Sequence, residues 1–411
     1  MSNIFKNTIL LTVIQLCSYI IPLIELPFLA RILSVSVLGQ IIFVQVIALT
    51  LSFFVEYGFN LTASRSLANA LDKDNKNFRA ELIGVVLQAK IILLTIVSII
   101  CFFIYSSIDI ISEKIPQNYL FWMYLSITGF GFSSFWYFQA YEKLAVATAI
   151  EFVSRVIYLI LILMLVKGDS DAIKILQIQS LCTLIGALGQ FLLLYNQEKI
   201  VFSAWSRAWH EITEGWHTFI YKSSSSISAL MSIWVLGFLV SPQAVSYYAG
   251  AEKIIKAIVG LTQPLILASY PKFSRLANHD QLFNQSLIKK YCYISILLLV
   301  PVVLSMIFLS PQIIRLFLGD GFYPAINVFY ILVLLVPLRM LTSIIGHLGL
   351  LAAQKDKLVS HISLVSSVLC LLIGIAFSAV YSEIGMAITV VIIEFLVLLL
   401  YAKAFLVKRV M

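Results

Sequence analysis

The sequence predicts an all-α polytopic membrane protein whose helices, about twelve in number, form two six-helix bundles. Apolar runs of about 20 residues, the length that crosses a bilayer, recur from one end of the 411-residue chain to the other. Lys and Arg residues fall mainly into every second gap between these runs. With 61% apolar and 12% charged residues and a mean hydropathy of +0.99, the chain carries more apolar surface than a water-soluble core can bury.

The candidate spans follow one another with short polar connections. They cover residues 7–33, 37–61, 81–105, 117–139, 147–166, 173–195, 216–240, 245–269, 291–309, 324–346, 358–380 and 385–407. The connector at residues 201–215 predicts an N-terminal bundle over residues 1–200 and a C-terminal bundle over residues 216–411. The segments SRSLANALDKDN from Ser64 and SRLANHDQLFN from Ser274 follow the second and eighth spans, which supports two parallel repeats.

The gaps between spans predict the orientation of the chain. One alternating set of gaps is rich in basic residues: Lys6, Arg65, Lys73, Lys76, Arg79, Lys143, Lys199, Arg207, Lys272, Arg275, Lys289, Lys290, Lys355, Lys357, Lys403, Lys408 and Arg409. The other set holds little beyond Lys114, Lys167, Lys174 and Arg315. Basic loops stay in the cytoplasm, so we expect a bacterial inner-membrane protein with both termini inside.

The composition also excludes several classes of site. The net charge of +8 comes mostly from the basic gaps, and no soluble segment interleaves basic with aromatic residues, so we expect no nucleic-acid partner. The five cysteines lie singly in separate apolar runs, and the five histidines lack the spacing of metal ligands. We therefore expect neither a metal nor a cofactor.

Ionisable residues inside the spans are the candidates for function. Each costs at least about 2.5 to 3.5 kcal/mol if it faces lipid, so it normally faces a cavity or a partner. The candidates are Glu25, Arg31, Glu56, Lys90, Glu151, Arg155, Glu252, Lys253, Lys256, Arg339 and Glu394.

Some of these charges have a purely structural interpretation. Glu56, Lys90 and Arg339 lie within a few turns of predicted cytoplasmic ends, where a long side chain reaches the headgroups. Glu151 and Arg155 are spaced i,i+4, so the favoured interpretation is an ion pair on one helix face.

The first and eighth spans carry charges that are harder to explain structurally. Glu252 and Lys256 are one turn apart, and Lys253 adds a second positive charge about 100° around the helix. An anion is therefore expected at this helix. In the first span Glu25 lies between Pro22 and Pro27, a pattern typical of the broken helices at transport sites.

Motifs in the first half of the chain resemble a known family. PFLARIL from Pro27 ends the first span, and EYGFNLTASRSLA from Glu56 closes the second. Both resemble the Wzx-type O-antigen flippases of the multidrug/oligosaccharidyl-lipid/polysaccharide exporter superfamily, although Ser34 and Val35 replace the usual Gly-Pro. WYFQAYEKL from Trp136 resembles the family's stretch after the fourth helix, with Ala140 in place of Gly.

The second half adds YYAGAEKIIKAI from Tyr247 and YPKFSRLA from Tyr270, which resemble the family's eighth helix. The resemblance implies a V-shaped arrangement of two bundles around a central cavity, as in multidrug exporters of the same superfamily. It implies a flippase without enzymatic activity that moves oligosaccharide repeat units on undecaprenyl pyrophosphate to the periplasmic leaflet by alternating access. Its expected partners are this carrier, membrane lipids, a polysaccharide polymerase and a chain-length regulator.

The resemblance and the charges together assign roles to the candidates. We expect Arg31, Lys253, Lys256, Lys90 and Arg339 to bind the headgroup, because ammonium and guanidinium groups bind phosphate strongly. Buried carboxylates exchange cations as their surroundings alternate, so coupling to a proton or sodium ion is assigned to Glu25, Glu252 and Glu394. Drive by membrane potential alone remains open. The secondary or structural residues are Glu56, Glu151 and Arg155.

Two alternative functions remain at this stage, and the role of several aromatic residues is also open. A multidrug cation exporter shares the architecture but needs a net acidic cavity. A membrane-embedded polymerase normally carries a large periplasmic loop, for which the short gaps leave no room. Trp136 with Tyr137, and Tyr247 and Tyr248 with Trp234, are either core and interface residues or a lining that stacks on sugar rings.

Overall fold

A computed structural model describes residues 20–279 and 281–406, and within them all regular secondary structure is helical. The α-helices are α1 (20–32), α2 (Val35–Glu56), α3 (Thr62–Asp72), α4 (Lys76–Ser107), α5 (Asp109–Lys114), α6 (Gln117–Gly131), α7 (Phe135–Ala140), α8 (Leu144–Leu165), α9 (Ala172–Gln197), α10 (Trp205–Ser228), α11 (Met231–Leu239), α12 (Pro242–Gly260), α13 (Gln263–His279), α14 (Gln281–Phe308), α15 (Ser310–Leu318), α16 (Ala325–Leu332), α17 (Leu335–Ser343) and α18 (Asp356–Leu406). Short 3₁₀ turns cover Asp169–Asp171 and Asp320–Phe322, and a π-helix covers Ile344–Leu351. The all-α prediction is confirmed.

Seven helical stretches in the described residues are long and apolar enough to cross a membrane. They are Val35–Glu56, Lys76–Ser107, Leu144–Leu165, Asp169–Gln197, Gln285–Phe308, Ala325–Leu351 and Asp356–Leu406. The last has 51 residues, about 77 Å of helix against a hydrocarbon core of about 30 Å. Ser382, with φ 53° and ψ −134°, breaks it into the two spans predicted at 358–380 and 385–407. The chain is a multi-pass membrane protein.

Other predicted spans are built from two or three shorter helices. The fourth span is interrupted between α6 and α7, and the seventh between α10 and α11. The tenth combines α16, α17 and the π-helix, which the sequence pattern does not show. A break inside a membrane frees backbone carbonyl and N–H groups that need partners from neighbouring helices. Polar side chains are therefore expected beside such breaks.

The described residues pack into two compact units. Unit 1 consists of residues 20–21 and Gln40–Leu230, and unit 2 consists of Pro22–Gly39 and residues 231–406. Most of the first described helix thus packs with unit 2, although it lies in the predicted N-terminal bundle. The division into six spans plus six at residues 200–216 stays a prediction.

Two contacts in unit 2 explain why Pro22–Gly39 belongs to it. The hydroxyl of Ser246 in α12 donates a hydrogen bond of 2.6 Å to the carbonyl oxygen of Val35. Gly39 approaches the start of α12 so closely that a Cβ atom there would lie 1.8 Å from the carbonyl oxygen of Pro242. Only glycine allows this approach, so the beginning of α2 is fixed against α12.

In unit 1 the connector after α9 is hydrogen-bonded to α4. The amide of Gln88 donates to the carbonyl oxygen of Ser203 at 2.8 Å and accepts from its N–H at 3.2 Å. The N–H of Val201 donates to the carbonyl oxygen of Ala80 at 3.0 Å. A Cβ atom at Gly84 would lie 2.1 Å from the carbonyl oxygen of Val201, so glycine is needed for the contact. The connector is therefore an ordered part of unit 1.

Candidate functional site

The charged side chains of α12 form the first part of the site in unit 2. α12 packs against α11, α16, α17 and α18. Glu252 is buried, with 7% of its surface exposed, and its Oε2 atom lies 2.9 Å from Nζ of Lys256, as the i,i+4 spacing predicts. Lys253 is half-buried and forms no ion pair with any residue in the described part of the chain. α12 thus keeps one positive charge in excess at this position.

A second ion pair joins two other helices of unit 2. Nε of Arg339 in α17 lies 3.7 Å from Oε2 of Glu394 in α18, and both side chains are half-buried. The sequence assigned these residues to separate roles, a headgroup ligand and a coupling acid, and the structure pairs them. Arg339 lies in a low-dielectric setting, and the carboxylate of Glu394 neutralises its positive charge there.

Tyr248 lies near both ion pairs. Its side chain is fully buried, its hydroxyl donates to Oγ of Ser232 at 3.2 Å, and it lies within electrostatic range of both Glu252 and Arg339. Ser232 belongs to α11, so the cluster reaches across four helices. Sequence reasoning missed Ser232 because one hydroxyl in an apolar run carries no charge signal.

The two candidates on α1 behave differently from each other. Glu25 is buried, with 8% of its surface exposed. Arg31 is exposed, and its Nη2 donates a hydrogen bond of 2.6 Å to the carbonyl oxygen of Leu316 near the end of α15. The last carbonyl groups of a helix have no internal partner and carry partial negative charge, which explains this contact. No hydrogen bond or ion pair of the described residues joins Arg31 to Lys253 or Lys256.

Lys90 lies at the break between α6 and α7 in unit 1. It is 1% exposed, and its Nζ donates to the carbonyl oxygens of Gly131 and Ser133 at 2.9 Å and 2.8 Å. The interpretation that Lys90 extends to the headgroups is wrong, because the break supplies carbonyl oxygens that bind the ammonium inside the unit. Lys90 belongs to unit 1, whereas the predicted bases Arg31, Lys253, Lys256 and Arg339 belong to unit 2.

Glu151 approaches the same break from α8. Its Oε1 atom accepts long hydrogen bonds of 3.4 Å from the hydroxyl of Ser133 and from the amide of Gln190. Arg155 is exposed, and no ion pair in the described residues joins it to Glu151. The predicted Glu151 and Arg155 pair is therefore wrong, since the carboxylate is directed to neutral donors of other helices.

Gln190 of α9 completes this polar group of unit 1. Its Oε1 accepts from the N–H of Ser134 at 2.8 Å and from the hydroxyl of Ser133 at 3.0 Å. Its Nε2 lies 3.4 Å from the carbonyl oxygen of Ala147. Sequence reasoning missed Gln190 because it carries no charge, although a glutamine within an apolar span is itself a signal.

The remaining candidates have structural positions. Oε1 and Oε2 of Glu56 accept from the N–H groups of Asn60 and Gly58 at 3.2 Å and 3.4 Å, which stabilises the turn after α2. Trp136 and Tyr137 are 2% and 0% exposed in a core cluster of unit 1, which argues against stacking on a sugar. In the described residues no three His, Cys, Asp or Glu side chains gather as metal ligands would.

The sequence comparisons give a consistent picture. A family model described as "Polysaccharide biosynthesis protein" matches residues 4–277. A protein of Escherichia coli (strain K12) is 29% identical over 397 residues, which cover 95% of this chain and 94% of that protein. A protein of Shigella dysenteriae is 26% identical over 404 residues, covering 97% and 99%. Both carry the name "Putative O-antigen transporter".

Solved structures confirm the predicted fold class. The lipid II flippase MurJ in an inward closed conformation has a TM-score of 0.75 at 16% identity, covering 96% of this chain and 87% of that chain. An inward-facing multidrug resistance MATE family transporter of the MOP superfamily has a TM-score of 0.68 at 15% identity, covering 95% and 94%. At these identities the likeness shows the fold alone, and it is the MATE-like fold.

Proposed function

Because the chain belongs to the polysaccharide biosynthesis protein family, as its resemblance to the Wzx-type flippases predicted, we propose that it is a lipid-linked oligosaccharide flippase. It moves O-antigen or polysaccharide repeat units on undecaprenyl pyrophosphate from the cytoplasmic to the periplasmic leaflet by alternating access. The observation that carries this proposal is the excess positive charge on α12, inside a membrane-spanning unit of a chain from this family. A pyrophosphate crossing hydrocarbon needs such charge to replace its water.

Lys253 and Lys256 are the first candidates for the headgroup site. Lys253 has no carboxylate partner among the described residues, and Lys256 is 37% exposed at its pair with Glu252. An ammonium group has three N–H donors and forms charge-assisted hydrogen bonds with phosphate oxygens, so the partly exposed Lys256 is able to bind the ligand while it stays beside Glu252.

The other three predicted bases make weaker candidates. Arg339 is engaged with Glu394, and Arg31 with the carbonyl oxygen of Leu316. Lys90 is the weakest, because moving its ammonium would leave two carbonyl groups without a donor. We keep Arg31 and Arg339 as secondary ligands and assign Lys90 a positioning role.

We also propose that transport is coupled to a proton or sodium gradient. The alternative is that the membrane potential alone drives transport. Glu252 and Glu394 each form an ion pair with a base, Lys256 and Arg339 respectively. Glu25 is the third predicted coupling acid of unit 2, and it is buried as Glu252 is.

The charges also separate this function from export of organic cations, which the fold permits. Unit 2 holds four basic residues and three acidic ones among the predicted candidates in its spans. A cation site needs the opposite balance. We further propose the bacterial inner membrane, cytoplasmic termini, no catalytic step, and cooperation with a polymerase and a chain-length regulator.

Gene deletion tests the function directly. A strain that lacks this chain is expected to accumulate the lipid-linked repeat unit, inaccessible to periplasmic modification, and to lose surface polysaccharide. Purified protein in proteoliposomes is expected to move the accumulated compound across the bilayer. Repeat units that reach the periplasm normally in the deletion strain would contradict the proposal.

A further inference from the structure

Glu151 is a carboxylate within a membrane span whose partners in the structure are neutral. We propose that Glu151 binds and releases the proton that couples transport, with Ser133 and Gln190 as its switching partners; this inference rests on the proposed flippase function. Glu151 lies in unit 1, and it is not one of the acids that the sequence predicts for coupling.

The position of Glu151 suits a group that changes its charge. It lies seven residues after the start of α8, which is about 10 Å along the helix axis. It is half-buried, and no ion pair joins it to any described residue. Its hydrogen-bond partners are neutral donors of other elements, so the carboxyl group can take up or give up a proton without breaking an ion pair.

The hydrogen bonds around Glu151 leave room for a proton. Both bonds from Ser133 and Gln190 end on Oε1, so Oε2 is the oxygen that forms the O–H bond. The proton comes from water on one side of the membrane and is returned to water on the other. No other group is oxidised, reduced or cleaved in this step.

Ser133 has one hydroxyl proton and two acceptors within reach. Its Oγ lies 3.0 Å from Oε1 of Gln190 and 3.4 Å from Oε1 of Glu151. A hydroxyl donates to one acceptor at a time. A charged Glu151 is the stronger acceptor and draws the proton, whereas a protonated Glu151 releases it to Gln190. The protonation state of Glu151 is thus coupled to the direction in which Ser133 donates.

The same serine joins the switch to the helix break. The carbonyl oxygen of Ser133 accepts from Lys90 at 2.8 Å, and Ser133 lies between α6 and α7. A short unwound segment changes its backbone angles more easily than a continuous helix, because its internal hydrogen bonds are already absent. Protonation of Glu151 therefore acts on a segment that is able to bend.

The charged surroundings favour a proton over a metal cation. The ionisable side chain that reaches Ser133 from α4 is Lys90, whose positive charge repels a sodium ion. From α9 Glu151 meets the neutral Gln190, and in α7 the hydroxyl of Tyr137 donates to Gln197 instead. Arg155 of its own helix is exposed.

Infrared difference spectroscopy of the purified protein gives a test that does not depend on transport. Wild-type protein is titrated with pH, and the carbonyl band of a protonated carboxylic acid is compared among variants. We expect a titrating band that is lost in Glu151→Gln and shifted in frequency in Ser133→Ala. Glu113→Gln, which changes an exposed acid of α5, is expected to leave it intact. A band unaffected by Glu151→Gln would overturn the inference.

Transport provides the second readout. Proteoliposomes receive the lipid-linked repeat unit extracted from the deletion strain, with and without an imposed pH gradient. We expect the gradient to stimulate the wild type and Glu113→Gln, and to have no effect on Glu151→Gln. Loss of stimulation in Glu25→Gln with full stimulation in Glu151→Gln would assign coupling to unit 2 and overturn the inference. A wild type that moves the substrate without responding to the gradient contradicts the inference alone, and one that moves no substrate contradicts the proposed function.

Discussion

Nζ of Lys256 lies 2.9 Å from Oε2 of Glu252, whereas Lys253, on the same helix, forms no ion pair with a described residue. The two lysines are three residues apart, so each reaches a nearby part of unit 2. Their different partners allow the headgroup site to be tested without disturbing the fold. Removing a base from an ion pair exposes the partner charge, and removing an unpaired base does not.

Lys253→Ala is expected to reduce export of surface polysaccharide about tenfold, since one charge-assisted hydrogen bond is worth about 1.5 kcal/mol or more. The melting temperature of the purified protein is expected to stay unchanged. Polysaccharide at the cell surface and the amount of protein in the membrane are measured together. Lys199→Ala, at an exposed position just after α9, is the matched control. Normal export by Lys253→Ala would remove it from the headgroup site.

The ion pair of Arg339 and Glu394 predicts a charge-reversal result. Arg339→Glu and Glu394→Arg each bring like charges together at a site where the native atoms are 3.7 Å apart, and both are expected to lower the melting temperature. The double variant restores opposite charges and is expected to recover part of the loss. Thermal unfolding in detergent measures all three. If the decrease in melting temperature of the double variant equals the sum of the two single decreases, the pair contributes nothing to stability.

The sequence predicts the helical class, the spans and the Glu252 and Lys256 pair because period, length and spacing determine them. It does not predict that Arg339 meets Glu394, since 55 positions separate them and their contact depends on how α17 packs against α18. For Arg155 the sequence predicts an ion pair that the described residues do not contain. Its spacing from Glu151 allows an ion pair, but Ser133 and Gln190 compete for the carboxylate from other elements.

The break between α6 and α7 was also not predicted. The run at 117–139 is apolar throughout, and the interruption becomes visible only with Lys90 and Gln190 placed beside it. A buried lysine and a glutamine in separate spans are a usable signal that a third span has free backbone groups. Which backbone groups Lys90 and Gln190 bind depends on tertiary packing alone.

Lys90→Met tests the role of the buried ammonium. The variant keeps a similar shape but leaves the carbonyl groups of Gly131 and Ser133 without their donor. An unsatisfied buried polar group costs about 1 to 3 kcal/mol, so we expect a clearly lower melting temperature and a lower yield of folded protein. Lys199→Met is the control on an exposed position. A Lys90→Met protein as stable as the wild type would contradict the positioning role.

Glu211 of α10, before the predicted seventh span, gives a prediction on pH. Burial, and then the charge of Glu214, raises the pKa of the Glu211 carboxyl above its ordinary value of 4.5. The folded state therefore binds more protons than the unfolded state above pH 4.5, and stability falls as pH rises through the raised value. Glu211→Gln removes this loss, so its melting temperature is expected to exceed that of the wild type at neutral pH and to converge with it in acid. Glu113→Gln is the control, and a Glu211→Gln curve parallel to the wild type at every pH would contradict the raised pKa.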